Sequence, residues 1–138
     1  MEIEVVIDSI PLPGYSVCGD SAFVIEGERM LIACCDGLGH GQPAHEAVEL
    51  AESIVRKNAE KDICEIMRIL HEELRKSVGA AVGIVAIDKS RGTLEYCGVG
   101  NIDLRAYSKL EFHPVSVPGI VGYNMRKCIV YTTYVYPD

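Results

Sequence analysis

A chain of 138 residues, 49% hydrophobic and 24% charged, is sized and composed for one globular domain that folds without staples. Twenty acidic against 13 basic residues leave a formal net charge of -7, which excludes a protein built to grip nucleic acid or an anionic membrane. No apolar run reaches the roughly 18 residues of a membrane helix, and the acidic start Met1-Glu2-Ile3-Glu4 is no secretory signal, so the expected location is the cytoplasm.

In chain order, residues 2–10 alternate or run apolar through Ile3, Val5, Val6 and Ile7 and read as a strand, ended by Pro11, Pro13 and Gly14. Residues 20–26 and 29–35 are two further strands joined by a hairpin-like turn at Gly27-Glu28. The second of these is apolar without alternation, as in a strand covered on both faces. After a Gly-rich turn, Ala44, Ala47, Val48, Ala51, Ile54 and Val55 recur at helical spacing, giving a helix over about 42–59 with Pro43 in its first turn. Asp62 caps a second helix, with Glu65 as capping-box partner. Its apolar stripe is Ile63, Ile66, Met67, Leu70, Leu74 and Val78, and Gly79 stops it.

The rest is β again: strands over 81–88, 93–99 and 102–107, a short edge over 109–112, and a last strand over 128–135. Consecutive β segments with short turns imply antiparallel pairing, with the helices grouped on a face. The six cysteines, Cys18, Cys34, Cys35, Cys64, Cys97 and Cys128, form no C-x-x-C pair and read as buried free thiols in a reducing compartment.

Chemistry concentrates in Asp36-Gly37-Leu38-Gly39-His40-Gly41, between a buried strand and a helix. A dinucleotide phosphate loop fits poorly: the third glycine is replaced by Gln42, and Asp36 sets a carboxylate where a pyrophosphate would lie. A metal turn fits better, because glycines let side-chain and main-chain oxygens approach a hard cation. The start of one hairpin strand neighbours the end of the next, so Asp20 and Asp36 should meet. Two carboxylates brought together repel, and a cation removes that cost. On spacing alone, an Asp that caps the turn or the helix serves equally well.

Gly19-Asp20, the Asp36 to Gly41 string with Ala44 and Ala47, Gly79-Ala80-Ala81, Tyr96-Cys97-Gly98-Val99-Gly100-Asn101 and Pro118-Gly119-Ile120-Val121-Gly122 occur in that order. Together they resemble the metal-dependent protein phosphatase (PPM) family, in its bacterial SpoIIE/RsbX-like branch. The resemblance runs from about residue 14 to 137, and the D-G-L-G-H-G string is its most specific part. It implies one α+β domain over 1–138, an antiparallel β-sandwich flanked by helices (α-β-β-α). It also implies two Mn²⁺ or Mg²⁺ ions at one edge. Asp36 would bridge both ions, Gly37 would give its carbonyl to one, and Asp20 would hold a metal-bound water, directly or from one layer further out. A water between the ions would attack the phosphorus of a phosphoserine or phosphothreonine.

The family pattern continues past residue 138 with two further metal-binding carboxylates, so the domain reads as incomplete at its C-terminus and the second ion's site as unfinished. Asp88 and Asp103 sit near turns and read as solvated. His40 and His45 are ill-spaced for zinc, with Pro43 between them. His71 and His113 read as surface residues, and Tyr131, Tyr134 and Tyr136 as sheet packing.

The implied function is a cytoplasmic serine/threonine protein phosphatase acting on a phosphorylated regulatory protein, an anti-sigma antagonist or a stressosome-like protein. The competing reading is a catalytically weak or inactive phosphatase-like binding domain. An uncovered sheet edge near residues 131–136 would invite a homodimer.

Overall fold

The computed structural model describes residues 1–109 and 111–135. Its elements run β1 (Asp20–Ile25), β2 (Met30–Gly37), α1 (Gly41–Lys57), α2 (Ile63–Glu73), β3 (Ala80–Asp88), β4 (Thr93–Val99) and β5 (Tyr131–Tyr134), with a 3₁₀ turn over Leu74–Lys76. The strands form one antiparallel sheet in the order β1-β2-β3-β4-β5. Both helices pack side by side on one face, α1 over β1 and β2, and α2 over β3 and β4. The antiparallel α+β class expected from the sequence is therefore observed. Of the sandwich, the described residues contain one sheet and one helical layer.

Register explains the core. Phe23 lies opposite Ala33, Ala33 opposite Ile84, and Ile84 opposite Cys97. All four are buried with Val48, Val55, Ile66 and Leu70 of the helices. Each aliphatic side chain so removed from water contributes roughly 1.5–3 kcal/mol. Ala44, Ala47 and Ala51 are fully buried, and such small side chains let α1 lie close to the sheet. The cap of α2 forms as read: the Asp62 carboxylate accepts from the Cys64 N–H at 3.1 Å.

Several expectations are corrected. Residues 1–19 form no helix or strand: Val6 and Ile10 are 84% and 78% exposed, so the alternation there has no sheet to join. The strand expected over 102–107 is reduced to a single bridge between Ala106 and Phe112. The helix expected to reach Val78 tightens into the 3₁₀ turn after Glu73. The last strand is shorter than 128–135, and Tyr136 lies outside the described residues. Not all cysteines are free: Cys64 and Cys128 form a disulfide, and the Cys97 thiol lies 2.9 Å from the Cys128 sulfur. Cys18, Cys34, Cys35 and Cys97 are free thiols, of which Cys35 and Cys97 are buried.

Candidate metal centre

The hairpin builds the site. Antiparallel pairing sets Asp20, the first residue of β1, directly opposite Asp36 near the end of β2. Side chains paired this way share a face. Burial, then a hydrogen bond with Asp20, then the charge of Asp20 push the Asp36 carboxyl up to about 6. The Asp36 carboxyl thus keeps its proton into mild acid. A cation arriving there replaces that proton and relieves the repulsion.

The chain after Asp36 is fixed by close approach. The Gly37 N–H donates to the Gly19 carbonyl at 2.8 Å, and the Leu38 N–H to the Gly79 carbonyl at 2.9 Å. A Cβ on Gly37 would stand 2.4 Å from the Ala44 carbonyl oxygen, so only glycine lets β2 end against the backbone of α1. Gly41 has φ +71°, a left-handed turn that swings the chain into α1. His40 precedes it, with its ring edge-on to Tyr15 at 4.7 Å. His45 is held elsewhere, by the Cys18 carbonyl at 2.9 Å and Glu49 at 2.9 Å, so no zinc pair forms.

Asp36 lines two cavities. One, of about 450 Å³, also takes in Asp20, Cys34, Asp8, Ser9 and Ile102. The other, of about 250 Å³, is lined by Asp36, Gly37, Gly39, Asn101 and Gly119. Asn101 and Gly119 fall within the small-residue strings noted in the sequence. Asp8 and Ser9 carried no signal, because the segment read as a strand. Asp88 and Asp103 lie away from both cavities. Asp103 pairs with Arg105 at 3.1 Å and His113 at 2.7 Å. His71 is corrected from the surface: it is half-buried, and its Nδ1 accepts from the Gly122 N–H at 3.0 Å.

The Asp20 and Asp36 carboxylates with the Gly37 main-chain oxygen are a donor set suited to a hard divalent cation, and the Cys34 thiol lines the same cavity. The set fits one ion that keeps most of its waters. Among the described residues no group of three or more His, Cys, Asp or Glu side chains is arranged to hold a metal.

No family model matches the chain. The PP2C phosphatase domain of SpoIIE from Bacillus subtilis superposes with a TM-score of 0.67 at 21% identity, over 89% of this chain and 40% of that one. A chain from a bacterial stressosome, a modular system adapted to control secondary messenger signalling, gives 0.85 at 28% identity, over 89% of this chain and 66% of that one. In sequence and fold the chain resembles the PPM family, in its RsbX/SpoIIE-like branch.

In particular it is similar to the phosphoserine phosphatase RsbX of Bacillus subtilis (strain 168), with 29% identity over 133 residues, 94% of this chain and 67% of that protein. The crystal structure of RsbX in complex with magnesium gives a TM-score of 0.85 at 26% identity, over 92% of this chain and 65% of that chain. The chain therefore spans about two thirds of the length of these relatives.

Proposed function

We propose that this chain carries the metal-binding part of a phosphoprotein phosphatase that hydrolyses phosphoserine or phosphothreonine on a regulatory protein. The observation that carries the reading is the Asp20–Asp36 pair, two facing carboxylates on one cavity wall, with Asp36 lining a second cavity as well. Asp36, the Gly37 carbonyl and Asp20 would hold Mg²⁺ or Mn²⁺. Such a cation, when bound, acidifies a water and balances charge on the phosphoryl oxygens. Asp36 would give up its own carboxyl proton and become the anchoring anion. Asp20 offers its oxygens as acceptors that orient the attacking water. Gly37, without a side chain, leaves its carbonyl unobstructed.

The likeness to RsbX, a phosphoserine phosphatase solved with magnesium, supports the activity and the cation. The likeness to a stressosome chain supports a signalling partner of that kind, and a cytoplasmic location goes with that reading. β5 lies at the sheet edge, and pairing of that edge with a second copy would give a homodimer. Among the described residues no group of three or more acidic, histidine or cysteine side chains is placed to hold a metal, which favours the second reading, a catalytically weak binding domain.

Titration with Mn²⁺ by calorimetry, with aryl phosphate turnover beside it, tests both readings. The expected result is cation binding that Asp36→Asn abolishes, with very slow turnover. Absence of cation binding would end the first reading. Robust turnover that Asp36→Asn removes would end the second.

A further inference from the structure

A second cavity system lies away from the Asp20–Asp36 pair and shares no lining residue with it. Its volume is about 500 Å³, and it sits between α2 and the segment that follows the Gly119–Gly122 turn. Arg68, His71 and Glu72 form one wall, and Met125, Arg126 and Lys127 the other. The disulfide between Cys64 and Cys128 holds the two walls together, reinforced by the bond from the Gly122 N–H to His71. Because His71 Nδ1 accepts that bond, the proton of its neutral ring is on Nε2, and the ring offers a donor.

The charge here runs against the rest of the molecule. The chain carries -7 overall. Arg56, Arg75, Lys89, Arg91 and Arg105 each have a carboxylate within 4.0 Å. Arg68, Arg126 and Lys127 have none among the described residues, as is also true of Arg29, Lys57, Lys61 and Lys76, but these three line one cavity together. The one acid in the lining, Glu72, is engaged by Arg75 at 3.4 Å. Three cations on facing walls repel one another until an anion enters between them.

We infer that this cavity binds an acidic segment of a partner protein, whose carboxylate or phosphate oxygens lie between Arg68 on α2 and Arg126 and Lys127 on the facing segment. The space admits more than one side chain, and the half-buried Met125 gives it an apolar wall, which suits a peptide better than a lone ion. A nucleic acid or anionic membrane would bring a long array of phosphates against a molecule of net charge -7. A short acidic segment engages the local positive patch alone. The inference is independent of the phosphatase reading, because it needs neither Asp36 nor a cation.

The test is fluorescence anisotropy with a labelled hexa-aspartate peptide on the full chain, at low ionic strength and without divalent cations. A labelled hexa-asparagine peptide serves as the neutral control. Binding of the acidic peptide alone is expected. The double variant Arg126→Glu/Lys127→Glu should weaken it at least about tenfold, since charge-assisted contacts are each worth roughly that factor. Arg68→Gln, a milder change on the other wall, should weaken it several-fold. Lys57→Glu, at the end of α1 and outside the cavity, should leave it unchanged. Equal losses from Lys57→Glu and the cavity variants would show that net charge alone governs binding, and would overturn the inference. So would binding of inorganic phosphate without peptide, or no binding of either.

Discussion

Two aspartates close opposite ends of the same sheet, and their surroundings give them opposite character. Asp36, near the end of β2, is pushed up to about 6 by burial and by Asp20. Asp88, at the end of β3, is held below its ordinary value, first by the Ser90 hydroxyl and then by the Arg91 N–H. Its Oδ1 accepts from the Ser90 N–H at 3.0 Å, the Ser90 hydroxyl at 2.7 Å and the Arg91 N–H at 3.1 Å. Asp88 is a finished turn cap: its charge is satisfied where it stands. Asp36 faces another carboxylate, and its charge awaits a partner from outside. An acid whose own fold leaves it short of donors is a better candidate for function than one that the fold satisfies.

The largest expected effect separates these two roles. Asp36→Asn should lower Mn²⁺ affinity at least about 100-fold, since even outer partners of a metal ligand cost 10–100-fold. Asp88→Asn should leave that affinity unchanged. Calorimetric titration reads both, and equal losses would erase the distinction. Next in size is the close approach behind Asp36. Gly37→Ala drives a Cβ against the Ala44 carbonyl and should cost about 1–3 kcal/mol in chemical denaturation. Gly27→Ala, at the far end, meets nothing nearer than the Arg29 carbonyl at 3.4 Å and should be close to neutral.

Smaller effects follow from titration. The Asp36 carboxyl moves from 3.8 to about 6 on folding, so the folded state keeps a proton that the unfolded chain has lost across that window. Stability should therefore fall as pH rises from about 4 to about 6 and then level off. Asp36→Asn should flatten this slope in denaturation curves taken across pH. Asp20→Ala removes the hydrogen bond and the charge but leaves burial, so NMR should find Asp36 titrating below about 6 yet above its ordinary range. Asp88 tilts the other way, its contribution being present above the ordinary carboxylate range and lost as pH falls through its folded value. The smallest effect is a slight stability loss in Asp88→Asn at neutral pH.

How far the sequence discloses the molecule depends on how local each signal is. The helices are legible because six apolar residues of α1 and four of α2 fall on one buried stripe each, and because Asp62 carries its own cap. The Asp20–Asp36 encounter is legible because a hairpin turns sequence distance into register. Residues 2–10 have the alternation of a strand, yet no pattern in a sequence supplies the neighbour a strand must pair with. The same limit hides Asp8 beside Asp36 and the basic cavity, whose walls come from residues 68–72 and 125–128. Cys64 and Cys128 are 64 residues apart with no spacing motif to join them.

That long separation gives the disulfide a meaning for the unfolded chain as well as for the native one. The bond closes a ring containing β3, β4 and the Gly119–Gly122 turn, while β1, β2 and α1 remain in a free tail. In the chain-entropy account, tying ends that far apart removes on the order of 14 cal/mol/K from the denatured ensemble, about 4 kcal/mol at room temperature. The half of the sheet with β3 and β4 is thus shortened as a search problem before any of its hydrogen bonds form. The half that carries both aspartates of the proposed metal centre must find its place unaided.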